Sequence, residues 1–288
     1  MLKMKAPAKL NLTLEILGKR ADGYHDIASI MQTLALCDEL GFEQADSLSL
    51  HCNVAALQTD DNLVLKAARL LQQKCGYSKG ATINLRKKIY QGAGLGGGSS
   101  DAAVTLIALN ELWALNCSKG DLLRMAADVG SDVPFFVEGG TCLVGGRGES
   151  LTPLPDMQRV WFALLVPSFQ PSPGKTTRLY QMVSREMYTD GRFTSVIRSR
   201  LEAGESLELQ YLFNVFEAVA FRAYPNLESC WKVFESVAGR CLHLAGAGPV
   251  IFTMLDDKKE ALTLVGKLKN LGLRALAVSS LKKGELGY

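Results

Sequence analysis

The stretch Gln91-Gly92-Ala93-Gly94-Leu95-Gly96-Gly97-Gly98-Ser99-Ser100-Asp101-Ala102-Ala103 constrains this chain more than any other. Five glycines fall within residues 92–98, and two serines follow at once. Residues 81–89 come before it, and their alternating first half predicts a strand. Ala102 to Leu115 come after it, rich in Ala and Leu, and predict a helix. The glycines therefore occupy a strand-to-helix turn. Glycine there permits positive φ and leaves no Cβ between backbone and ligand. Ser99 or Ser100 is expected to cap the helix by accepting from its first free N–H groups. The remaining N–H groups and the helix dipole form an anion site, and a phosphate is the expected guest.

Three readings of this loop compete. A merely flexible glycine turn does not account for the serines and the immediate helix start. Gly92, Gly94 and Gly97 satisfy the spacing of a dinucleotide fingerprint. That fingerprint also needs a second strand ending in an acidic residue, and here a second helix follows instead. A P-loop needs a Lys after the glycines, and none is present. A phosphate cradle of another kind remains.

Composition excludes several classes. At 288 residues the chain is long enough for one large domain or two ordinary ones. An apolar fraction of 48% and a charged fraction of 21% are those of a globular protein. A net charge of +3 without a Lys/Arg block gives no footprint for nucleic acid. No apolar run approaches the ~18 residues of a membrane span. Asn11, Thr13 and Glu15 interrupt any signal-like core, so a cytoplasmic location is expected. The seven cysteines are odd in number and contain no C-x-x-C, which suits reduced thiols. His25, His51 and His243 are scattered, and no zinc signature forms.

From Lys9 to Ile16 polar and apolar residues alternate, predicting a half-buried strand with Lys9, Asn11, Thr13 and Glu15 on one face. The plain reading of Lys9 there is a solvated side chain. Residues 18–26 form a loop containing Tyr24 and His25. A surface loop is its plain reading, and a platform for a flat heterocycle is the alternative. Ile27 to Leu36 and Leu48 to Cys52 read as strands. Thr59-Asp60-Asp61-Asn62 opens a helix through about Lys74, with Gly76 as its stop. Ser118-Lys119-Gly120-Asp121 begins another through a capping box, and that helix ends at Gly130. Pro134 favours a first helical turn, so Asp132 reads plainly as a helix cap. Thr141 to Val144 reads as a strand, with Gly145-Gly146-Arg147-Gly148 as a turn after it.

Composition shifts near residues 151–155, which suggests a boundary there: residues 1–152 and 153–288. Trp161 to Val166 predicts a strand, and residues 167–174 a loop. Helical patterns cover Thr176 to Met187, Leu207 to Tyr224, Leu227 to Ala238 and Asp257 to Leu268. Strands are expected over Cys241 to Ala245, Pro249 to Met254 and Arg274 to Val278. With the middle helices taken as one block, this half reads β-α-β-β-α-β, the ferredoxin-like order.

Together these segments carry a resemblance. Pro7-Ala8-Lys9-Leu10-Asn11-Leu12, Ala21-Asp22-Gly23-Tyr24-His25, the loop 92–103, Gly130-Ser131-Asp132-Val133-Pro134-Phe135 and Ala245-Gly246-Ala247-Gly248-Pro249 are similar to motifs of the GHMP small-molecule kinases. The similarity runs from about Pro7 to the C-terminus. Within that superfamily the chain resembles the branch whose acceptor carries a cytidine diphosphate group.

The resemblance implies an α+β fold of two domains, the first like ribosomal S5 domain 2 and the second ferredoxin-like, with the active site in the cleft between them. It implies ATP as co-substrate, with Mg²⁺, and a small-molecule acceptor in isoprenoid biosynthesis. By motif match Lys9 and Asp132 are the catalytic pair, and Asn11 helps hold the acceptor. Tyr24 and His25 hold the cytosine. Tyr90, Gln91, Gly92, Ala93, Gly94, Leu95, Gly96, Gly97, Gly98, Ser99 and Ser100 wrap the ATP phosphates, with Asn62 and Lys87 nearby. Gly246 and Gly248 belong to the third motif, where Ala245 and Ala247 replace the hydroxyl residues common in the family. Another superfamily member, such as a homoserine or mevalonate kinase, is the alternative. A non-catalytic nucleotide sensor is a further one. The sequence identifies no Mg²⁺ ligand and does not choose between a monomer and a homodimer.

Overall fold

The computed structural model describes residues 1–169 and 174–287. The expected loop over 167–174 therefore lies partly outside the described residues. The first sheet is built on two long antiparallel strands, β1 (Leu2–Lys19) and β2 (His25–Ala45). Beyond them come β3 (Ser49–Cys52), α1 (Leu63–Cys75) and β4 (Gly80–Arg86). Then follow α2 (Gly97–Leu112), α3 (Lys119–Val129), α4 (Val133–Glu138), β5 (Thr141–Gly146) and β6 (Ser150–Pro153). The length of β2 lets it serve two partners besides β1: β5 along Ile27–Gln32 and β4 along Glu39–Ala45.

Local chemistry places several ends where the pattern predicts. Asn62 caps α1 by accepting from the Val64 N–H, and Gly76 closes it in the left-handed region. Ser118 and Asp121 form the expected capping box on α3. α2 departs from expectation, since it starts at Gly97 rather than Ala102. β5 runs into the expected glycine turn, which closes only at 147–149.

The remaining elements are β7 (Trp161–Leu165), α5 (Lys175–Met182), α6 (Arg192–Glu202), β8 (Phe213–Asn214), α7 (Glu217–Ala223) and α8 (Leu227–Ala238). β9 (His243–Leu244), β10 (Ile251–Leu255), α9 (Lys258–Asn270) and β11 (Ala275–Ser279) complete them. The second sheet is antiparallel in the order β11-β7-β10-β9. Counting its strands along the chain gives 4-1-3-2, the ferredoxin-like arrangement the pattern predicts.

Three expectations are corrected. The helix expected over Leu207 to Tyr224 forms only as α7. Asn214 prevents the rest, because its side chain donates to Leu244 O and Gly246 O and accepts from the Phe216 N–H. Those bonds hold residues 213–214 extended as β8, parallel to β1 in the first sheet. The helix expected over Thr176 to Met187 stops at Met182, and Arg185–Met187 form a separate tight turn.

The third correction concerns β1. Lys9, Asn11, Thr13 and Glu15 are all buried, not solvated. α6 covers Thr13 and Glu15, while Lys9 and Asn11 meet the glycine loop and Gly246 at a cavity wall. The sequence shows little of the α6 cover, because that helix buries only the thin stripe Thr194, Ile197 and Leu201. Thr13 and Thr194 hydroxyls meet at 2.9 Å, and the Glu15 carboxylate accepts from the Thr194 N–H at 2.7 Å. A strand carboxylate thus satisfies a free N–H at a helix start far away in sequence.

Candidate active site

The glycine loop is held tightly between β1 and residues 245–250. The Lys9 N–H donates to Leu95 O at 2.9 Å, and the Val250 N–H to Ala93 O at 3.3 Å. Gly94 has φ 86°, and a Cβ there would lie 1.9 Å from Ala245 O. Gly96 has φ 72°, and a Cβ there would lie 2.7 Å from Phe136 Cζ and 3.0 Å from Lys9 Cγ. These two positions need glycine for space and for backbone shape together.

The expected serine cap is absent. The cap position is Gly96, which has no side chain to give, and Ser99 and Ser100 lie inside the first turn. The helix start therefore keeps free N–H donors for a ligand. Ser100 Oγ is buried and finds no hydrogen-bond partner among the described residues.

Lys9 and Asp132, far apart in sequence, meet with Nζ and Oδ2 3.6 Å apart. Asp132 occupies the N-cap position of α4 but makes no side-chain cap bond. Its backbone is already helical, at φ −85° and ψ −11°, so the carboxylate turns toward Lys9 instead. The Lys9 side chain is 6% exposed and that of Asp132 34%. The ammonium is thus fixed in the wall while the carboxylate stays reachable. Lys9 Nζ donates to Asn11 Oδ1 at 2.6 Å, and Asn11 Nδ2 to Ser29 Oγ at 2.8 Å. Ser29 donates onward to Thr13 O at 2.5 Å. This relay orients the Asn11 amide so that its oxygen faces the ammonium. A Cβ on Gly246 would lie 3.0 Å from both Asn11 Oδ1 and Lys9 Nζ, so the third motif presses its backbone against the pair.

These groups line a cavity of about 1240 Å³. All residues singled out from the sequence line it except Ser100 and Gly248. Asn62 and Lys87 are already engaged, Asn62 as the α1 cap. Lys87 Nζ pairs with Asp38 and, at 2.6 Å, with Asp101 beneath the loop. Burial pushes the Asp101 carboxyl up to about 7 against the pull of Lys87, and the Asp38 charge adds to the rise.

At the far side Tyr24 is 56% exposed, with the Arg147 guanidinium 5.0 Å over its ring. His25 stacks on Tyr180 at 5.1 Å and meets Tyr188 edge-on at 6.1 Å. Burial, helped by the Lys19 charge, lowers the His25 pKa. The ring is therefore neutral near pH 7, with one donor and one acceptor nitrogen. Tyr180, Tyr188, Ser29 and Lys175 were not singled out from the sequence. They lie outside every motif, and only the packing of β2, α5 and the turn after it brings them here. No group of three or more His, Cys, Asp or Glu that could hold a metal occurs among the described residues.

Comparison with known proteins identifies the family of this fold. Residues 62–140 match the model for the GHMP kinases N terminal domain. A 4-diphosphocytidyl-2-C-methyl-D-erythritol kinase of Dehalococcoides mccartyi is 40% identical over 98% of this chain and 99% of its own. One from Acaryochloris marina is 36% identical over 92% of this chain and 91% of its own. The crystal structure of a 4-(cytidine 5'-diphospho)-2C-methyl-D-erythritol kinase superposes with a TM-score of 0.82 at 31% identity, covering 97% of this chain and 99% of that one. A homoserine kinase from Cytophaga hutchinsonii shares the fold, with a TM-score of 0.76 at 17% identity over 98% of this chain and 94% of its own. This chain belongs to the GHMP kinases and, within them, to the 4-diphosphocytidyl-2-C-methyl-D-erythritol kinase family.

Proposed function

We propose that the chain transfers the terminal phosphoryl group of ATP to the 2-hydroxyl of 4-diphosphocytidyl-2-C-methyl-D-erythritol, in the non-mevalonate isoprenoid route of the cytoplasm. The observation that carries this reading is the Lys9–Asp132 pair, 3.6 Å apart beside an uncapped helix start. Phosphoryl transfer needs the donor held in line and its charge offset, with little covalent work from the protein. Backbone N–H groups of residues 94–100 hold the phosphates. Asp132 accepts the proton of the acceptor hydroxyl as general base. Lys9, held in the wall by Asn11, favours the negative charge that develops on that oxygen. Asn11 also faces the acceptor, and Gly246 and Gly248 contribute backbone.

Mg²⁺ would find a hard oxygen donor on the cavity lining in the Ser99 hydroxyl at the start of α2, beside the phosphates, whereas the buried Ser100 Oγ lies off that lining. When bound it supplies charge neutralisation across the phosphates. Lys87 supports the loop from below through Asp101, while Asn62 holds the start of α1 at the cavity edge.

The cytosine lies on Tyr24, with neutral His25 offering one hydrogen-bond donor and one acceptor to its edge. Tyr180 fixes the His25 plane. A homoserine or mevalonate acceptor has no base to use this platform.

A coupled ADP-release assay tests the reading. Turnover with the cytidine-bearing substrate should far exceed turnover with homoserine or mevalonate, and comparable turnover on all three would reject it. Base–aromatic stacking is worth about 1–3 kcal/mol. Tyr24→Ala should therefore raise KM for the cytidine substrate by about 5–150-fold, with KM for ATP nearly unchanged. Equal rises in both constants would remove Tyr24 from the cytosine site.

A further inference from the structure

Lys175 opens α5 and lines the cavity that holds Lys9 and Asp132. Its ammonium donates to two carbonyl oxygens, Gly92 O at the entry of the glycine loop and Gly248 O in the third motif. Among the described residues no carboxylate pairs with it. Carbonyl oxygens solvate an ammonium but do not cancel its charge. Lys9 stands on the other flank of the third motif, against Gly246. Two lysines thus flank the third motif on one cavity, Lys9 paired with Asp132 and Lys175 with no carboxylate among the described residues.

We propose that Lys175 is a second phosphate-binding cation of this site, taking an oxygen of the nucleotide's triphosphate opposite Lys9. This rests on the kinase reading above and adds a residue that no sequence motif carries. Burial, and then the Lys9 charge, push the Lys175 ammonium down to about 7. Lys9 faces it from β1, and Arg178 lies one turn along α5 beside Tyr224. The Tyr224 hydroxyl donates to Ala247 O in the third motif. Residues 91–98 and 245–249 carry no titratable side chain.

An incoming triphosphate favours the charged ammonium and raises its pKa. A group whose pKa rises on binding takes up a proton, so binding weakens as pH climbs past the free value. Above pH 7 the affinity for ATP should fall by up to about tenfold per pH unit. A lysine that only tied the two loops together would take up no proton with the nucleotide.

Calorimetric titration of the full chain with Mg·ATP, near pH 8 in two buffers of different ionisation enthalpy, separates these roles. The unaltered chain should take up nearly one proton. Lys175→Arg keeps a permanent charge, so it should bind ATP comparably, without proton uptake and without the fall at high pH. Lys175→Met should bind at least about tenfold more weakly, as expected for loss of a charge-assisted bond to phosphate. Undiminished proton uptake by Lys175→Arg, or undiminished affinity of Lys175→Met, would overturn the proposal and leave the kinase reading intact. If Lys175→Met does not fold, the arginine variant and the linkage of the unaltered chain still decide. Absence of ATP binding by the unaltered chain would overturn both readings together.

Discussion

Asp132→Asn lowers kcat by about 10²–10⁴-fold, the usual worth of a general base, and leaves the fold in place. The substitution keeps shape and volume but removes the ability to accept a proton. Little structural penalty accompanies it, because the Asp132 side chain makes no cap bond to α4 and is a third exposed. Lys9 keeps its bond to Asn11, so the wall of the cavity stays as it is. ATP affinity should therefore be nearly unchanged while ADP release slows. Single-turnover kinetics on the cytidine-bearing substrate measure the chemical step directly. A near-normal rate there would show that another group, or solvent, takes the proton.

Lys87→Met destabilises the chain by about 3–5 kcal/mol, the cost of removing one partner from a buried ion pair. Its ammonium is shared by Asp38 and Asp101, and all three side chains are almost fully enclosed. Asp38 also accepts the backbone N–H groups of Lys88 and Ile89, at 2.5 and 2.8 Å, so it cannot swing out to solvent. The variant leaves the Asp38 carboxylate without a cation, facing an Asp101 carboxyl that burial already pushes toward its protonated form. Against a total stability of about 5–15 kcal/mol, that is a large share. Chemical denaturation should show a much lower midpoint. Adding Asp101→Asn should change little further, because Asp101 takes up a proton once the cation is gone and Asp38 keeps the one unpaired charge. A midpoint unmoved in Lys87→Met would mean that the trio contributes nothing to folding.

Much of the architecture is legible in the sequence, because short-range chemistry dictates it. Asn62 and Gly76 bound α1, Ser118 and Asp121 begin α3, and short apolar runs mark the central strands of the second sheet. What was not legible comes from contacts between distant segments. The alternation through Lys9 and Glu15 correctly indicates a strand, but it cannot show that α6 will cover Thr13 and Glu15 or that Gly246 will press on Lys9 and Asn11. Nor can helical periodicity over 207–224 show that Asn214 will bond to Leu244 and Gly246 and break the pattern. At the site, local composition alone makes the glycine loop legible as a strand-to-helix turn, and the phosphate it is expected to hold belongs to the proposal. Lys9 and Asp132 each look ordinary locally, a strand lysine and a helix cap, and only the resemblance pairs them. Lys175 and Tyr180 sit on a short helix with a single buried residue, Leu179, and nothing in their spacing points toward the cavity.

β8 is a strand of the first sheet supplied by the second half of the chain. A polypeptide ending at residue 152 would leave Thr13 and Leu14 as an open margin, with Glu15 stripped of the helix that now accepts its charge. Open margins of this kind recruit strands from other molecules. The glycine loop would also lose Val250, the clasp that holds its far side. The first sheet and the glycine loop seated against it are thus complete only when most of the last third of the chain has been made.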